Sequence, residues 1–349
     1  MSIRKSVFDP SGGGIAQYTL CGASGMCVDV LEYGAILRSV RVPTGQGYTE
    51  VTLGSERLAD YQDMPCYLGA VVGRNAGRIA NSAIEIDGVP YQLTSNEGSH
   101  HLHGGAAGFD RKIWRLLEVA DSEEPSVTLA CEADDGEQGY PGKIQLTVQY
   151  SLSADNELTI EFGARTDRAT LLNLTHHAYF NLSGQGDCLD HQLSINADTY
   201  LPVNHDLTAK GIKAPVALGA FDFRQAKTIG RDIRVSDDQL LVANGYDHSF
   251  CLNRPGFEVP FAWARSPRTG ISMQAYTNQP LAHFYSGNSL GGFRLHPDRE
   301  LDPHAGFCLE TQGYPYVGDQ SGFPRCLLRP GHDYQHKTRF RFFSPSTRA

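Results

Sequence analysis

Glu310 and His177 are the residues of this sequence best suited to transferring protons. Glu310 follows an apolar run at 307–309, and a carboxylate in such a run has to be paired, exposed or functional. His176 and His177 are adjacent, so on a strand their side chains point to opposite faces and only one of them can serve a given pocket. A glutamate and a histidine that share a pocket can act as general base and general acid near neutral pH.

Arg78, Asp247 and Gln279 are further candidates, because each lies in a polar cluster that contains glycine or proline. Taken alone, Arg78 is more typical of a surface ion pair, and Gln279 is a weaker candidate still. Asp247 precedes His248, so its carboxylate could accept hydrogen bonds from ligand hydroxyls or only from that histidine. These residues indicate a binding site only if the fold brings them together.

His101 and His103 form a pattern that is also found at metal sites, since alternate residues of a strand share a face. Such a site needs a nearby glutamate as well, and residues 104–110 contain none. The eight cysteines include no C-x-x-C pair, which disfavours a zinc ribbon or a redox pair. We therefore expect no bound metal.

The overall charge excludes several classes of partner. The chain has 349 residues and a formal net charge of −9, which is the wrong sign for holding a phosphate backbone or an anionic membrane surface. No run of about 18 apolar residues is present. We expect neither nucleic acid nor membrane as a partner. The first ten residues lack an apolar run behind their basic side chains, and the cysteines are scattered, which favours a reducing, cytoplasmic setting.

Strands are the main predicted elements, because apolar and polar residues alternate along much of the chain. Residues 84–93 predict a hairpin around Asp87 and Gly88. Residues 144–152 and 158–162 predict a longer antiparallel pair. Shorter alternating runs are found at 127–131, 271–275 and 340–342.

Helices are few in this prediction, and the best candidate covers 229–241. The scarcity of helices argues against a parallel sheet built from βαβ units. No low-complexity linker or fixed repeat divides the sequence. We therefore expect an all-β fold, a single large antiparallel β-sandwich, that forms one domain over 1–349.

Several polar motifs of the chain are similar, in the same order, to those of the aldose 1-epimerases, or galactose mutarotases. The resemblance runs from about residue 28 to about residue 342. It is carried by Leu-His-Gly-Gly at 102–105 with Gly-Phe-Asp at 108–110, Asn-Leu-Thr at 173–175 with Tyr-Phe-Asn-Leu at 179–182, Gly-Tyr-Asp-His at 245–248, and Gly-Phe-Cys-Leu-Glu at 306–310. The resemblance implies a galactose mutarotase-like supersandwich, a free hexose such as galactose or glucose as substrate, and no cofactor.

The resemblance also implies a role for each matching residue. Glu310 is the expected general base, His177 the general acid, and His103 a second histidine near the ring oxygen of the sugar. The expected sugar-binding residues are Arg78, Asp247, Gln279 and Tyr179. Two positions depart from the family pattern, since Gly77 and His176 both occupy places where asparagine is common, and the first of them bears on the preference among hexoses.

Three alternatives remain open from the residues alone. A glycoside hydrolase could use Asp247 and Glu310 as its pair of carboxylates. A phosphosugar 1-epimerase would need further basic residues around the mouth of the pocket. A sugar-binding or sensor module on the same fold would keep Arg78, Asp247 and Gln279 but could lose the acid and the base.

Overall fold

The computed structural model describes residues 2–11, 13–45, 47–296, 299–318 and 322–345. Strands dominate these residues. In chain order they are β1 (Ser2–Val7), β2 (Ala16–Cys21), β3 (Cys27–Leu31), β4 (Leu37–Thr44), β5 (Gly47–Glu50), β6 (Val71–Val72), β7 (Arg78–Ile79), β8 (Ala83–Ile86), β9 (Val89–Gln92), β10 (His101–Leu102), β11 (Arg115–Ala120), β12 (Ser126–Ala133), β13 (Ile144–Leu152), β14 (Glu157–Thr166) and β15 (Thr170–Leu171). The second half contains β16 (Thr175–His176), β17 (Gln192–Ile195), β18 (Ala197–Leu201), β19 (Ala214–Pro215), β20 (Lys227–Thr228), β21 (Asp247–Leu252), β22 (Ala262–Arg265), β23 (Ser272–Thr277), β24 (Leu281–Tyr285), β25 (Arg294–His296), β26 (Arg299–Glu300), β27 (Cys308–Gln312), β28 (Leu327–Leu328) and β29 (Tyr334–Phe343).

Helices are short in the described part of the chain. Two α-helices, α1 (Leu58–Asp63) and α2 (Asp238–Ala243), are accompanied by single 3₁₀ turns at Ala80–Ser82, Phe109–Arg111, Glu137–Gly139 and Ile229–Arg231. The predicted helix over 229–241 is therefore wrong in extent. Asp237 accepts hydrogen bonds from the backbone N–H groups of Gln239 and Leu240, so it caps the start of α2, and Asn244 ends the helix in a left-handed conformation.

Three sheets of five or more strands form the scaffold. The largest has nine strands in the order β11-β12-β13-β14-β29-β23-β22-β17-β20, and two five-stranded sheets have the orders β1-β2-β3-β4-β5 and β19-β18-β21-β24-β27. Neighbouring strands in all three are antiparallel. The predicted all-β antiparallel fold is confirmed, whereas the single domain over 1–349 stays a prediction.

The alternation in the sequence explains the strand pairs that were predicted. In β13 the even-numbered residues from Ile144 to Leu152 are buried and the odd-numbered ones are more exposed. This strand pairs with β14, with Ile144 opposite Thr166 and Leu152 opposite Leu158. The predicted hairpin is formed by β8 and β9.

The main core lies between the large sheets. It combines Val30 of the first sheet, Val148 and Leu158 of the nine-stranded sheet, and Phe250 and Phe284 of the other five-stranded sheet in one cluster of buried side chains. Full burial of each such side chain contributes roughly 1.5–3 kcal/mol. The strands that carry the polar cluster described below are thereby held on a rigid support.

Cys21 and Cys27 form a disulfide between β2 and β3, at positions that face each other in the register. The sequence prediction of a reducing setting did not anticipate this pair. The other six cysteines are free thiols. Within the described ranges, no helix has the length and apolar character needed to cross a membrane.

Candidate active site

A cavity of about 260 Å³ opens over one face of β21, β24 and β27. Alternate residues of a strand point to the same face, and here one set of alternating residues lines the cavity. These residues are Asp247, Ser249, His283, Tyr285, Glu310 and Gln312. The residues between them, such as Phe250, Phe284 and Leu309, belong to the hydrophobic core. The volume suits a ligand smaller than the drug-sized molecules for which pockets of about 300–1,000 Å³ are typical.

The other walls of the cavity come from segments far apart in the sequence. Arg78 of β7 and His103, which follows β10, contribute one wall, and His177 and Tyr179 contribute another. Apolar side chains that include Leu201 complete the enclosure. The structure thus brings together six of the seven predicted site residues.

His177 and Glu310 lie side by side in the wall of this cavity. His177 Nε2 lies 3.6 Å from Glu310 Oε1, and both side chains are almost fully buried. The second carboxylate oxygen of Glu310, Oε2, is buried without a hydrogen-bond partner among the described residues. An unpaired carboxylate oxygen beside an imidazole is a good acceptor for a proton from a ligand.

The ring of His177 is held by its backbone and its neighbours. Its N–H donates to the carbonyl of Ala70 at 2.9 Å, and its carbonyl accepts from the N–H of Gly69 at 2.9 Å. Its ring packs between the rings of Tyr67 and Tyr179, at centroid distances of 6.0 and 4.9 Å. Little freedom is left for the imidazole to turn away from the cavity.

Cys308 faces the other nitrogen of this imidazole. Its Sγ lies 3.5 Å from His177 Nδ1. Burial raises the pKa of the Cys308 thiol well above its ordinary value, so the thiol keeps its proton and can donate it to Nδ1. The thiol donates to Nδ1 of a neutral ring and its sulfur accepts from Nδ1–H of a charged ring, so in both states Nε2, the nitrogen beside Glu310, carries a proton.

His103 is placed by an unusual stretch of backbone. Its φ of 54° is left-handed, and the following Gly104 packs so closely on Gly73 that a Cβ atom would lie 1.8 Å from the Gly73 carbonyl oxygen. The N–H of Gly77 donates to His103 Nδ1 at 3.2 Å. Burial, with the nearby His177, lowers the pKa of His103 well below its ordinary value, so the neutral ring presents Nε2–H as a donor.

The same geometry bears on metal binding. Donor atoms of His103, His177 and Glu310 lie within 4.8 Å of one another and could in principle surround a cation. However, Nδ1 of His103 is occupied by the Gly77 N–H, so its other nitrogen carries a proton instead of the free lone pair that a metal needs. The trio fits proton transfer better than metal binding.

His101 does not share a site with His103, because β10 ends at Leu102 before the left-handed residue. Both of its ring nitrogens are occupied, one by the carbonyl of Thr94 and the other by the hydroxyl of Tyr140, each at 2.7 Å. The H-x-H pattern in the sequence therefore does not correspond to two ligands on one face.

Arg78 and Asp247 form the polar end of the cavity. Glu97 binds Arg78 through two hydrogen bonds, of 2.6 Å to Nε and 2.8 Å to Nη2, and Asp247 Oδ2 lies 3.7 Å from Arg78 Nη1. Burial opposes the charged form of Asp247, but the hydrogen bond from His283 and the charges of His283 and Arg78 outweigh it and lower the pKa of Asp247. Asp247 is therefore an ionised acceptor at any physiological pH.

His283 was missed by the sequence analysis. Its Nε2 lies 2.7 Å from Asp247 Oδ1 and its Nδ1 lies 2.9 Å from Ser249 Oγ. It is also the register partner of Glu310 across β24 and β27. Counting alternate residues along 281–285 could have placed His283 on the same face as its polar neighbours.

Gln279 is the predicted residue that the structure leaves outside the cavity. It lies in the turn between β23 and β24, and its side-chain amide donates to Asn278 at 3.1 Å. Only from Leu281 onwards does the chain run alongside β27, so a residue two positions earlier cannot join the row. A different glutamine, Gln312, lines the cavity instead.

Tyr179 and Gly77 line the cavity, whereas His176 does not. Tyr179 lines the cavity while its hydroxyl donates to the carbonyl of Cys66 at 3.0 Å. Gly77 also lines the cavity, at a φ of 78°, a conformation that suits glycine or asparagine. His176 faces the core against Tyr150, and burial lowers the pKa of His176 to about 3. His176 is therefore neutral and does not line the cavity.

The chain is similar to known proteins over nearly its whole length. The family model described as aldose 1-epimerase matches residues 16–341. Galactose mutarotase from Rattus norvegicus is 38% identical over 348 residues, which cover 98% of this chain and 99% of the rat protein. Aldose 1-epimerase from Escherichia coli (strain K12) is 39% identical over 346 residues, or 96% of this chain and 97% of that protein.

A solved structure extends the similarity to three dimensions. The galactose 1-epimerase from Lactobacillus acidophilus NCFM superimposes with a TM-score of 0.87 at 31% identity, with 99% of each chain covered. The chain therefore belongs to the aldose 1-epimerase family, a family of isomerases that act on sugars.

Proposed function

We propose that this protein interconverts the α and β anomers of free aldohexoses, with Glu310 as general base and His177 as general acid. The observation that carries this proposal is the 3.6 Å approach of His177 Nε2 to Glu310 Oε1 in the buried wall of a small cavity. Anomer exchange needs one proton to leave the C1 hydroxyl while another reaches the ring oxygen. A base and an acid side by side meet that need.

Each half-reaction is a pair of proton transfers. Glu310 accepts the C1 hydroxyl proton as the bond between C1 and the ring oxygen breaks, and His177, as the imidazolium, gives its Nε2 proton to that oxygen and becomes neutral. The open aldehyde turns about the C1–C2 bond and the ring oxygen attacks the other face. Both protons then return, so the pair is restored with every turnover. A positioned acid or base contributes typically about 10²–10⁴ in rate.

His103 supports the acid in this proposal. Its Nε2–H is a neutral donor, and its ring lies 5.5 Å from the ring of His177. A neutral donor can hydrogen-bond the ring oxygen without adding a second positive charge beside His177. We therefore assign it to orienting the ring oxygen, while the Arg78 and Asp247 end binds hydroxyl groups.

The charges around the cavity favour an uncharged sugar over a sugar phosphate. Arg78 is the only lysine or arginine among the described residues that line it. Glu97 and Asp247 already balance that cation. A phosphosugar 1-epimerase would need unpaired basic groups for the phosphate.

The glycoside hydrolase alternative needs a carboxylic acid as well as a carboxylate. Asp247 cannot supply the acid, because its lowered pKa keeps it ionised. The opposite assignment, with Glu310 as the acid and Asp247 as the carboxylate, is disfavoured because Asp247 Oδ1 is engaged by His283 and its Oδ2 faces Arg78. A sensor module, in turn, has no use for a buried Glu310 whose Oε2 has no hydrogen-bond partner among the described residues.

The test of the proposed activity is polarimetry on freshly dissolved α-D-galactose and α-D-glucose. We expect the protein to accelerate the drift to equilibrium for at least one of the two sugars, and to release no sugar from the methyl glycosides. An unchanged spontaneous rate with both sugars would overturn the proposal, and cleavage of a glycoside would favour the hydrolase.

We further propose that the protein works in the cytoplasm on a small free sugar. The six free thiols support a reducing setting, in which Cys21 and Cys27 would also be reduced. Alkylation of thiols in freshly lysed cells, followed by mass spectrometry, tests this. Complete blocking of Cys21 and Cys27 from alkylation would contradict it.

A further inference from the structure

His283 makes two hydrogen bonds to one neighbouring strand. Its Nε2 contacts Asp247 Oδ1 at 2.7 Å and its Nδ1 contacts Ser249 Oγ at 2.9 Å. Gln312 Nε2 also donates to Ser249 Oγ, at 3.5 Å. All four side chains line the cavity. The charge of one imidazole thus bears on two groups that a sugar can reach.

We propose that protonated His283 is a positioning residue of the sugar site. In its charged form His283 leaves the hydroxyl proton of Ser249 free to bond a hexose, and in its neutral form His283 Nδ1 accepts that proton in a hydrogen bond instead. This inference rests on the proposed hexose site. It concerns the affinity of that site and its dependence on pH, and it gives His283 no part in the transfer of protons to or from the sugar.

The inference follows from counting protons. A carboxylate only accepts hydrogen bonds, so His283 Nε2 must carry a proton to bond Asp247. In the neutral ring Nδ1 is then a lone pair, which takes the hydroxyl proton of Ser249. In the charged ring Nδ1–H donates instead, Ser249 Oγ becomes the acceptor, and its own proton turns towards the cavity.

The surroundings of His283 favour the charged ring at neutral pH. Burial alone would lower the pKa of His283, but the hydrogen bond and the negative charge of Asp247, with Glu310 on the other neighbouring strand, outweigh it and raise the pKa above its ordinary value of 6.5. The positive charge of Arg78, across the cavity, opposes this rise in the pKa of His283. The neighbouring histidines that share its field are His103 and His248.

Several of these neighbours keep one charge state while His283 titrates. The pKa values of His103 and His248 lie well below neutrality, the latter at about 3. Burial raises the pKa of Tyr67 and of Tyr285 to about 12. A change in sugar affinity at pH values from about 6.5 upwards can therefore be traced to His283 by substitution.

The experiment measures the equilibrium Kd for D-galactose by calorimetry at several pH values in that window. For the wild type we expect Kd to rise by about two- to tenfold as the pH increases, which is the effect of one neutral hydrogen bond, and binding at the alkaline end to take up protons. In His283→Gln the amide N–H can still bond Asp247 but cannot titrate, so Kd should stay constant. Ser249→Ala should also show a constant Kd, because it lacks the hydroxyl that reverses.

The matched control is His332→Gln, a change at an exposed histidine that does not line the cavity, and it should keep the wild-type pH dependence. A wild-type pH dependence of Kd that persists in folded His283→Gln or in Ser249→Ala would overturn the inference. So would a wild-type Kd that is flat across the window. Because Kd is an equilibrium constant for the anomer mixture and does not depend on the rate of exchange, an absence of anomer exchange would overturn the proposed function and leave this result to be judged separately.

Discussion

Asp247→Asn separates binding from proton transfer in the proposed site. The change keeps the shape of the side chain and removes the negative charge that Arg78 and His283 share. Arg78 stays paired, because Glu97 binds it through two hydrogen bonds. The substitution therefore replaces a charged acceptor for sugar hydroxyls by a neutral amide without leaving an arginine uncompensated.

The expected magnitude follows from the hydrogen bonds to a charged group, which are worth about 1.5–3 kcal/mol. At 1.36 kcal/mol for each factor of ten, the KM for galactose should rise by about 10- to 150-fold. The kcat should fall by less than about tenfold, because the proposed proton-transferring pair, His177 and Glu310, is untouched. Loss of the carboxylate also lowers the pKa of His283, since burial is then unopposed by Asp247.

The assay is polarimetry of α-D-galactose at a range of concentrations, with thermal unfolding as a check that Asp247→Asn folds. Asp87→Asn is the matched control, because this exposed carboxylate pairs with Arg329 and does not line the cavity, and its KM should change by less than about threefold. A KM for Asp247→Asn within twofold of the wild type would refute the reasoning. Equal falls in kcat and kcat/KM would also refute it, since they would place Asp247 in the chemistry.

Three further predictions concern stability. Glu310→Gln replaces a buried carboxylate whose Oε2 has no hydrogen-bond partner among the described residues, so the free energy of unfolding in urea should rise by about 1 kcal/mol. A decrease would contradict this. Cys21→Ser should lower the free energy of unfolding by about 2 kcal/mol, because the disulfide closes a short loop with a sequence separation of 6. The kcat should be unchanged, since neither Cys21 nor Cys27 lines the cavity, and a large loss of kcat would contradict this. Burial opposes the charge of Asp29, but hydrogen bonds that include one from Arg41 outweigh it and lower the pKa of Asp29. The contribution of Asp29 to stability is therefore present above about pH 4 and is lost as the pH falls. Acid titration of Asp29→Asn should show a smaller loss of stability than that of the wild type, and identical curves would contradict the assignment.

The strands were predictable where one face of a sheet is buried and the other is not. Residues 144–152 alternate strictly, and the structure contains β13 over the same range. The region 229–241 misled because its apolar residues match a helical period, whereas the capping side chain of Asp237 delays the helix until Asp238. Local hydrogen bonds outweighed periodicity there.

The site was predictable where a motif is short and contiguous, and not where strand register decides. Glu310, His177 and His103 lie in motifs that can be read directly, and the cavity brings all three together. The sequence motifs did not show that His283 lines the cavity and that Gln279 does not. Only the pairing of β24 with β21 and β27 places His283 between Ser249 and Glu310, and that pairing joins residues distant in sequence.

The central claim is that Glu310 and His177 exchange protons with a bound hexose, and the most direct test is the polarimetric kcat for galactose in wild type, Glu310→Gln and His177→Asn. The account predicts that each variant folds, binds galactose with a Kd near that of the wild type, and loses about 10²–10⁴ in kcat. Variants that bind galactose and retain a kcat within about tenfold of the wild type would contradict it.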